Sequence, residues 1–368
     1  MKKIIFAVTT DLNYDQRMQR ICNSLAGNGY EVLLVGREWP VSKPLQTQRY
    51  AQHRLKCIFS KGKFFYLEYN LRLFFYLLFQ KADAYGAADL DAALPVCFKA
   101  QLSGKPFIFD AHEYFPEVPE VISRPAVQKI WRAVEKFIVP RSALRYTVTH
   151  SLAEIFTRNY GSPFGVIRNI SVLKPFVEVG KKQRYILYQG AVNEGRGLEM
   201  LLEAMPEIGA ELWICGKGEM LESLQQRTRE LRLGNKVKFL GYVLPTDLEK
   251  ITREAYIGFN LLENLGLSYY YSLSNKFFDY LHAGIPQVVI DFPEYKTLLQ
   301  EFEVGVAIPL EKAALKNALQ QLLTDGKRYD FLVKNCLLAR ETWNWQQEEK
   351  KLLALYKTLW QTPQKLNS

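Results

Sequence analysis

The sequence predicts an α/β protein built from two parallel-sheet domains. Strand-like apolar runs alternate with helix-like segments in two successive series. The alternation breaks once, over 171–183, where a Pro and a Gly occur with no clear period. The 368 residues also amount to about two domains at ~100–200 residues each. Strands separated by helices run parallel, with helices covering both sheet faces. A chain with 48% hydrophobic and 13% aromatic residues is not disordered.

Ile4–Thr9 reads as a buried first strand. Met1-Lys2-Lys3 ahead of it mimics a signal peptide, but the apolar run is too short and no small-residue cleavage site follows. Asp15 is placed to cap a helix running to about Gly27, with Met18, Ile21, Cys22 and Leu25 at 3.6-residue spacing. Tyr30–Val35 is the second strand. The segment Arg37–Lys81 holds nine Lys/Arg against two acids and includes Lys61, Lys63, Phe64, Phe65, Arg72 and Phe75. It suits a membrane interface, or equally an internal helix with a solvated basic rim. Its most apolar stretch, Phe64 to Phe79, is interrupted by Glu68, Asn70 and Arg72 and is too short to span a bilayer. Strands at Ala82–Ala87, Pro106–Phe109, Arg145–Thr149 and Gly165–Ile167 then alternate with helices at Leu90–Leu102, Pro125–Phe137 and Ser151–Tyr160. The second series has strands at Tyr185–Gln189, Glu211–Cys215, Val237–Leu240, Ile257–Leu261 and Gln287–Ile290, and ends in a long charged helix, Gln346–Leu359. Two such domains in tandem are Rossmann-like and are expected to face each other across a cleft at the carboxyl ends of both sheets.

The net charge of +10 is uneven: residues 1–170 hold 23 Lys/Arg and 14 Asp/Glu, residues 171–368 hold 25 and 24. A basic half beside a neutral half points to an anionic partner for one domain. The five cysteines are scattered and include no C-x-x-C pair, so neither a disulfide framework nor a zinc ribbon is indicated, and a reducing compartment fits.

In open parallel sheets the functional residues lie on loops after the strands. Ser274 and Asn275 are placed as helix caps, and Lys276 sits in the first turn. A cation beside a positive helix end is unfavourable unless an anion neutralises both, which makes this a phosphate-site candidate; otherwise Lys276 points to solvent. Asp279, one turn on, either accepts sugar hydroxyls or pairs with Lys276. Gly190, Gly195 and Gly197 in the loop 189–197 allow close backbone approach, and Arg196 offers a bidentate clamp; a flexible solvent loop is the alternative. Cys215-Gly216-Lys217-Gly218 matches only part of a dinucleotide fingerprint. In the first half, Asp110-Ala111-His112-Glu113 ends a strand. Three ionisable groups are costly to bury there and are expected to face the cleft, with His112 as the acid/base or oxyanion candidate. Asp89-Leu90-Asp91 is too short a pattern to assign a metal, and these aspartates serve equally as helix caps.

These residues resemble the bacterial family 4 glycosyltransferases of the GT-B fold, over essentially the whole chain. Asn275-Lys276-Phe277-Phe278-Asp279-Tyr280 through Ala283-Gly284-Ile285-Pro286 is similar to the family's N-K-x-F-E-Y-x-x-A-G-x-P signature. Tyr188-Gln189-Gly190 with Glu194-Gly195-Arg196-Gly197 resembles its donor-phosphate loop, Asp110-Ala111-His112-Glu113 its acceptor-side D-x-H-E loop, and Thr342–Trp345 its C-terminal segment. The resemblance implies retaining transfer from a nucleotide sugar (UDP-, GDP- or ADP-linked), with no bound metal, no cofactor and no nucleic-acid partner. Gly190, Arg196, Ser274, Asn275 and Lys276 would hold the diphosphate. Gly216, Gly218, Gly241 and Tyr242 would flank the base, and Asp279 would bind the ribose. His112 would act on the transferred sugar, while Asp15, Arg17, Asp110 and Glu113 would face the acceptor. The family pattern has glutamate where this chain has Tyr271, so donor-sugar recognition falls to Tyr271 and Glu263; many members also have Arg where this chain has Ala191. The implied domains are 1–170 for the acceptor and 184–342 for the donor, joined by a 171–183 linker, with 343–368 crossing back to the first. The expected product is a cell-envelope polysaccharide or lipid-linked glycan, made in the cytoplasm or at the inner membrane face. The alternatives are a nucleotide-sugar epimerase or phosphorylase of the same fold, a basic nucleic-acid- or membrane-binding protein without activity, and a dehydrogenase.

Overall fold

A computed structural model describes residues 1–180 and 182–361. The chain forms two compact units, one of Met1–Asn169 with the C-terminal residues from Gln347, the other of Ile170–Gln346.

In the first unit the strands are β1 (Lys2–Ala7), β2 (Tyr30–Glu38), β3 (Ala51–Lys56), β4 (Ala84–Ala88), β5 (Phe107–Ala111), β6 (Leu144–Thr147) and β7 (Gly165–Val166). They form one parallel sheet in the order β3-β2-β1-β4-β5-β6-β7. The helices are α1 (Gln16–Gly27), α2 (Gly62–Leu78), α3 (Leu90–Leu102), α4 (Pro119–Ile122), α5 (Pro125–Ile138) and α6 (His150–Tyr160). Ile4, Ile5, Phe6 and Ala7 are all buried, because a central parallel strand is covered on both faces. Close packing there needs a glycine opposite: a Cβ on Gly86 would lie 2.4 Å from the Phe6 ring. Within the basic, aromatic stretch 37–81, Ala51–Lys56 form β3 and Gly62–Leu78 the 17-residue α2.

The second unit repeats the plan. Strands β8 (Tyr185–Gln189), β9 (Glu211–Cys215), β10 (Val237–Gly241), β11 (Ile257–Asn260), β12 (Gln287–Ile290) and β13 (Gly305–Ile308) lie in the order β10-β9-β8-β11-β12-β13. The helices are α7 (Leu198–Ala204), α8 (Leu221–Glu230), α9 (Pro245–Glu254), α10 (Leu267–Tyr270), α11 (Asn275–His282), α12 (Pro293–Glu301), α13 (Lys312–Thr324) and α14 (Gly326–Thr342). The stretch 171–180 is irregular and is tied to this unit. Leu173 exchanges two bonds with Gln346, and the Lys174 carbonyl accepts from Arg340 at 2.6 Å. The last helix, α15 (Trp345–Gln361), belongs from Gln347 onward to the first unit. There Tyr356 is fully buried with its hydroxyl 3.0 Å from that of Tyr146, and Glu348 accepts the Arg168 N–H at 2.9 Å.

In both sheets the strand order reverses beside the first strand of its series, at β1/β4 and at β8/β11. The connections leave toward opposite sides there, which opens a crevice at the strands' carboxyl ends.

Candidate active site

In the second unit the crevice is framed by the loops after β8 and β11 and by the start of α11. Tyr280 sets the position of that helix. Its hydroxyl donates to the Leu187 carbonyl at 2.8 Å and accepts the Gln189 N–H at 3.2 Å. Its ring lies over Gly258 of β11, where a Cβ would come within 2.4 Å. One turn earlier on the same helix, Lys276 is thereby held over the β8 loop. Its ammonium lies 4.1 Å from the centre of the Tyr188 ring and 4.0 Å from where a Cβ on Gly190 would stand.

Lys276 is 8% exposed, so the solvent-pointing alternative does not hold. Burial and the nearby Arg196 push its pKa well below the ordinary lysine value. Arg196 lies over the Tyr269 ring at 4.9 Å and donates to the Tyr269 hydroxyl at 3.2 Å, while its Nε is buried with no partner. Neither cation forms an ion pair among the described residues. Two partly desolvated positive groups with no carboxylate between them are unfavourable alone and favour a multivalent anion.

The backbone around them fits that role. Gly190, Gly195 and Gly197 have φ of +134°, +77° and +65°, conformations that only glycine adopts without strain. Ser274 occupies the N-cap position of α11 but does not cap it: its hydroxyl donates to Asn260 at 2.8 Å and its N–H to Tyr295 at 3.1 Å. The helix start therefore keeps its uncapped N–H groups for another acceptor. Asn275 follows it, exposed. Asp279 accepts from Ser171 at 2.8 Å and from Gln189 at 3.1 Å, and Thr252 holds the other end of the Gln189 amide at 2.7 Å. The carboxylate is oriented from two sides.

Gly216 and Gly218 have a structural reason of their own. A Cβ on Gly216 would lie 1.8 Å from the Gly190 oxygen, and one on Gly218 2.2 Å from the Val192 oxygen. The loops after β8 and β9 stack backbone on backbone, joined by N–H groups of Gly190 and Val192 at 3.0 Å. The Gly241 carbonyl accepts from Gly216 at 2.8 Å, and Tyr242 beside it is 58% exposed. Glu263 donates its N–H to Gly195 at 2.9 Å. Burial together with Glu199 and Glu194 raises its pKa. Tyr271 packs edge-on against Tyr270 at 4.9 Å.

In the first unit, the expectation that Arg17 and Asp110 face an acceptor is corrected. They form a bidentate pair at 2.9 and 2.7 Å, with side chains 2% and 0% exposed, and the third Arg17 nitrogen donates to the Ile167 carbonyl at 2.9 Å. Pairing across the sheet end offsets part of the cost of burying Asp110, whose pKa burial still raises, and the bidentate contact occupies both groups. Asp15 is similarly occupied, accepting the Met18 N–H at 3.0 Å as the cap of α1 and the Thr10 hydroxyl at 2.6 Å. Glu113 remains exposed.

His112 keeps an open side chain, 42% exposed. Asp89 positions it. Asp89 has φ +60°, which is strained for a residue with a side chain. Its carboxylate does not cap α3. One oxygen instead accepts the N–H groups of His112 at 2.8 Å and Glu113 at 3.3 Å, and the other lies 3.6 Å from His112 Nδ1. His112 Nε2 is 3.3 Å from the Asn169 amide. Desolvation acts to lower the imidazole pKa, but Asp89 outweighs it and the net shift is upward. Asp89→Asn is expected to return the His112 pKa to or below its ordinary value near 6.5, read from the imidazole proton shifts in an NMR titration. An unchanged titration would remove Asp89 from this role. Sequence reasoning took Asp89 for a helix cap or part of a weak metal pattern, quoted Tyr188 only as part of a loop motif, and gave Tyr269 no place. The position of Asp89 directly after a strand was a usable signal; the ring–cation contacts of the tyrosines had none.

Two doubly wound parallel-sheet units, of seven and six strands, are the architecture of the GT-B fold. A family model described as Glycosyltransferase Family 4 matches residues 16–179, and one described as Glycosyl transferases group 1 matches 183–325. The chain belongs to this glycosyltransferase family. An uncharacterised glycosyltransferase of Methanocaldococcus jannaschii is 25% identical over 189 residues, 49% of this chain and 46% of its own length. Phosphatidyl-myo-inositol mannosyltransferase of Mycobacterium leprae is 26% identical over 181 residues, 47% of this chain and 46% of its own. The aligned part is thus about half the length of these curated relatives. Among solved structures, sucrose-phosphate synthase of Thermosynechococcus elongatus has a TM-score of 0.81 at 18% identity, covering 98% of this chain and all of that one. Anabaena HepE, in complex with UDP and glucose, has 0.78 at 13%, covering 97% and 100%. These two share the fold.

Proposed function

We propose that this protein transfers a sugar, with retention and without a bound metal, from a nucleoside-diphosphate sugar to a cell-envelope glycan or lipid-linked acceptor. The observation that carries this reading is the pair Lys276 and Arg196, two cations that form no ion pair among the described residues, at a glycine loop and a helix start. In this reading they hold the donor diphosphate. As the anomeric C–O bond breaks, charge builds on the leaving diphosphate, and fixed cations in a desolvated site stabilise it as a metal would. Asp279 takes the ribose, the Gly216–Gly218 and Gly241–Tyr242 turns border the base, and Glu263 with Tyr271 reads the donor sugar. His112, aligned by Asp89, acts on the transferred sugar. The segments 1–170 and 184–342 serve acceptor and donor respectively, with 171–183 connecting them. The UDP complex of HepE supports a nucleotide donor, and the name of the Mycobacterium leprae relative supports an acceptor with a lipid moiety. The proposed setting is the cytoplasm, at the inner face of the membrane.

The test is a panel of UDP-, GDP- and ADP-sugars, read first as thermal shift and then as transfer in excess chelator. A nucleoside diphosphate at a hundred times its Kd should stabilise the fold by about 2.7 kcal/mol. NMR of the product reports the anomeric configuration. If no nucleotide sugar binds or turns over, the reading fails; an epimerised donor or a dependence on free phosphate would replace it with one of the alternatives.

A further inference from the structure

Two residues remote from His112 in the chain stand in a row behind its imidazole. Arg17 and Arg20 lie about one turn apart on α1, and each meets a residue of the run that follows β7. Arg17 holds the Ile167 carbonyl at 2.9 Å, the Ile167 N–H donates to Thr147 at 2.9 Å, and the Arg168 N–H donates to Glu348 at 2.9 Å. The backbone leading into Asn169 is therefore pinned. Arg20 donates from a terminal nitrogen to Asn169 Oδ1, and Asn169 Nδ2 lies 3.3 Å from His112 Nε2. On the other side of the ring the Asp89 carboxylate lies 3.6 Å from Nδ1.

Donor and acceptor chemistry orders this row. A guanidinium only donates, so it takes the amide oxygen; turning the Asn169 amide over would set N–H groups against N–H groups. The Asn169 NH2 is thus the group that faces His112, and it needs a lone pair on Nε2. The carboxylate at Nδ1 needs a proton there. A neutral imidazole protonated on Nδ1 satisfies both neighbours. The other tautomer satisfies neither, and the imidazolium satisfies only Asp89. We propose that Arg20, acting through Asn169, is a positioning residue that fixes His112 as the Nδ1–H tautomer, so that Nε2 meets the transferred sugar by accepting a hydrogen bond from a hydroxyl. The hydroxyl takes the place of the Asn169 amide at Nε2, and no proton changes owner. The charged groups around the ring are Asp89, Asp110, Glu113, Arg17 and Arg20. Asp89 favours the imidazolium, and the Asn169 amide opposes it. The tautomer stands on these contacts alone; its consequence for the sugar rests on the function proposed above.

NMR of the ligand-free protein, labelled at the histidine nitrogens and assigned by the signals lost in His112→Gln, reads the tautomer directly. Above its pKa the wild-type ring should carry its proton on Nδ1. Asn169→Asp places an acceptor and a charge at Nε2 and should raise the His112 pKa by about 1–3. Arg20→Met frees the amide to turn its oxygen toward Nε2 and should raise it too. Arg20→Lys, again a pure donor, should keep the wild-type titration. A neutral wild-type ring protonated on Nε2, or Asn169→Asp and Arg20→Met both titrating like wild type, would overturn the assignment. The wild-type spectrum decides the tautomer even if a variant does not fold. Donor binding is a separate measurement: a nucleotide-sugar panel without binding would remove the consequence for the sugar and leave the tautomer in place.

Discussion

Lys276→Met should lower transfer by about 10²–10³-fold, as expected when a charge stabiliser of the leaving group is removed, and should at the same time raise the melting temperature of the ligand-free protein. Both effects have one origin. The folded state buries an ammonium beside Arg196 with no carboxylate pairing it among the described residues, and its pKa is depressed by burial first and by Arg196 second. Below its folded pKa the unfavourable charge is fully present. Between that value and the ordinary lysine value near 10.4, the unfolded chain binds more protons, so stability rises with pH. Above it the penalty is gone. The melting temperature of the variant should therefore exceed that of wild type at neutral pH, by roughly 2–4 °C for each kcal/mol relieved, and the difference should shrink toward pH 10.5. A bound diphosphate favours the charged lysine, so binding should take up a proton and weaken as pH rises, and the variant should lose that dependence. Calorimetry in buffers of different ionisation enthalpy reads the proton directly. A variant that binds UDP, GDP and ADP as wild type does, with the same melting curve, would remove Lys276 from the site.

The second large effect concerns Arg17 and Asp110. Arg17→Met or Asp110→Leu alone should cost about 3–5 kcal/mol, because the partner is left charged and buried. The double replacement Arg17→Met with Asp110→Leu should cost far less than the sum of the single losses, since it removes both charges and fills the volume. Urea unfolding of the four proteins in the cycle measures the coupling. Had these residues met the acceptor, single substitutions would raise the acceptor KM and leave the unfolding midpoint in place. That result would restore the expectation the structure overturned.

Much of the site's framework is readable without coordinates. The Asp15 cap, the helix that begins at Asn275 and the loop whose glycines take positive φ all follow from neighbours within a few residues. The same local rules misplace Ser274, whose hydroxyl serves Asn260, fourteen positions back, instead of its own helix. They also leave Gly216 and Gly218 as a partial dinucleotide fingerprint, whereas the Gly190 and Val192 carbonyls exclude a side chain at both.

By itself the sequence determined the doubly wound α/β fold and the loops on which the charged residues fall, because periodicity, capping and glycine freedom act over a few residues. Only the tertiary structure decided which charges are spent and which are left. Arg17 finds Asp110 across 93 positions, and Asp89 turns from its helix to His112. Among the described residues Lys276 is desolvated with no counter-ion, and the outer side of α2 is exposed. The physical reason is that desolvation and charge pairing depend on which elements the sheet order makes neighbours, and residues far apart in the chain do not state that distance in their own types.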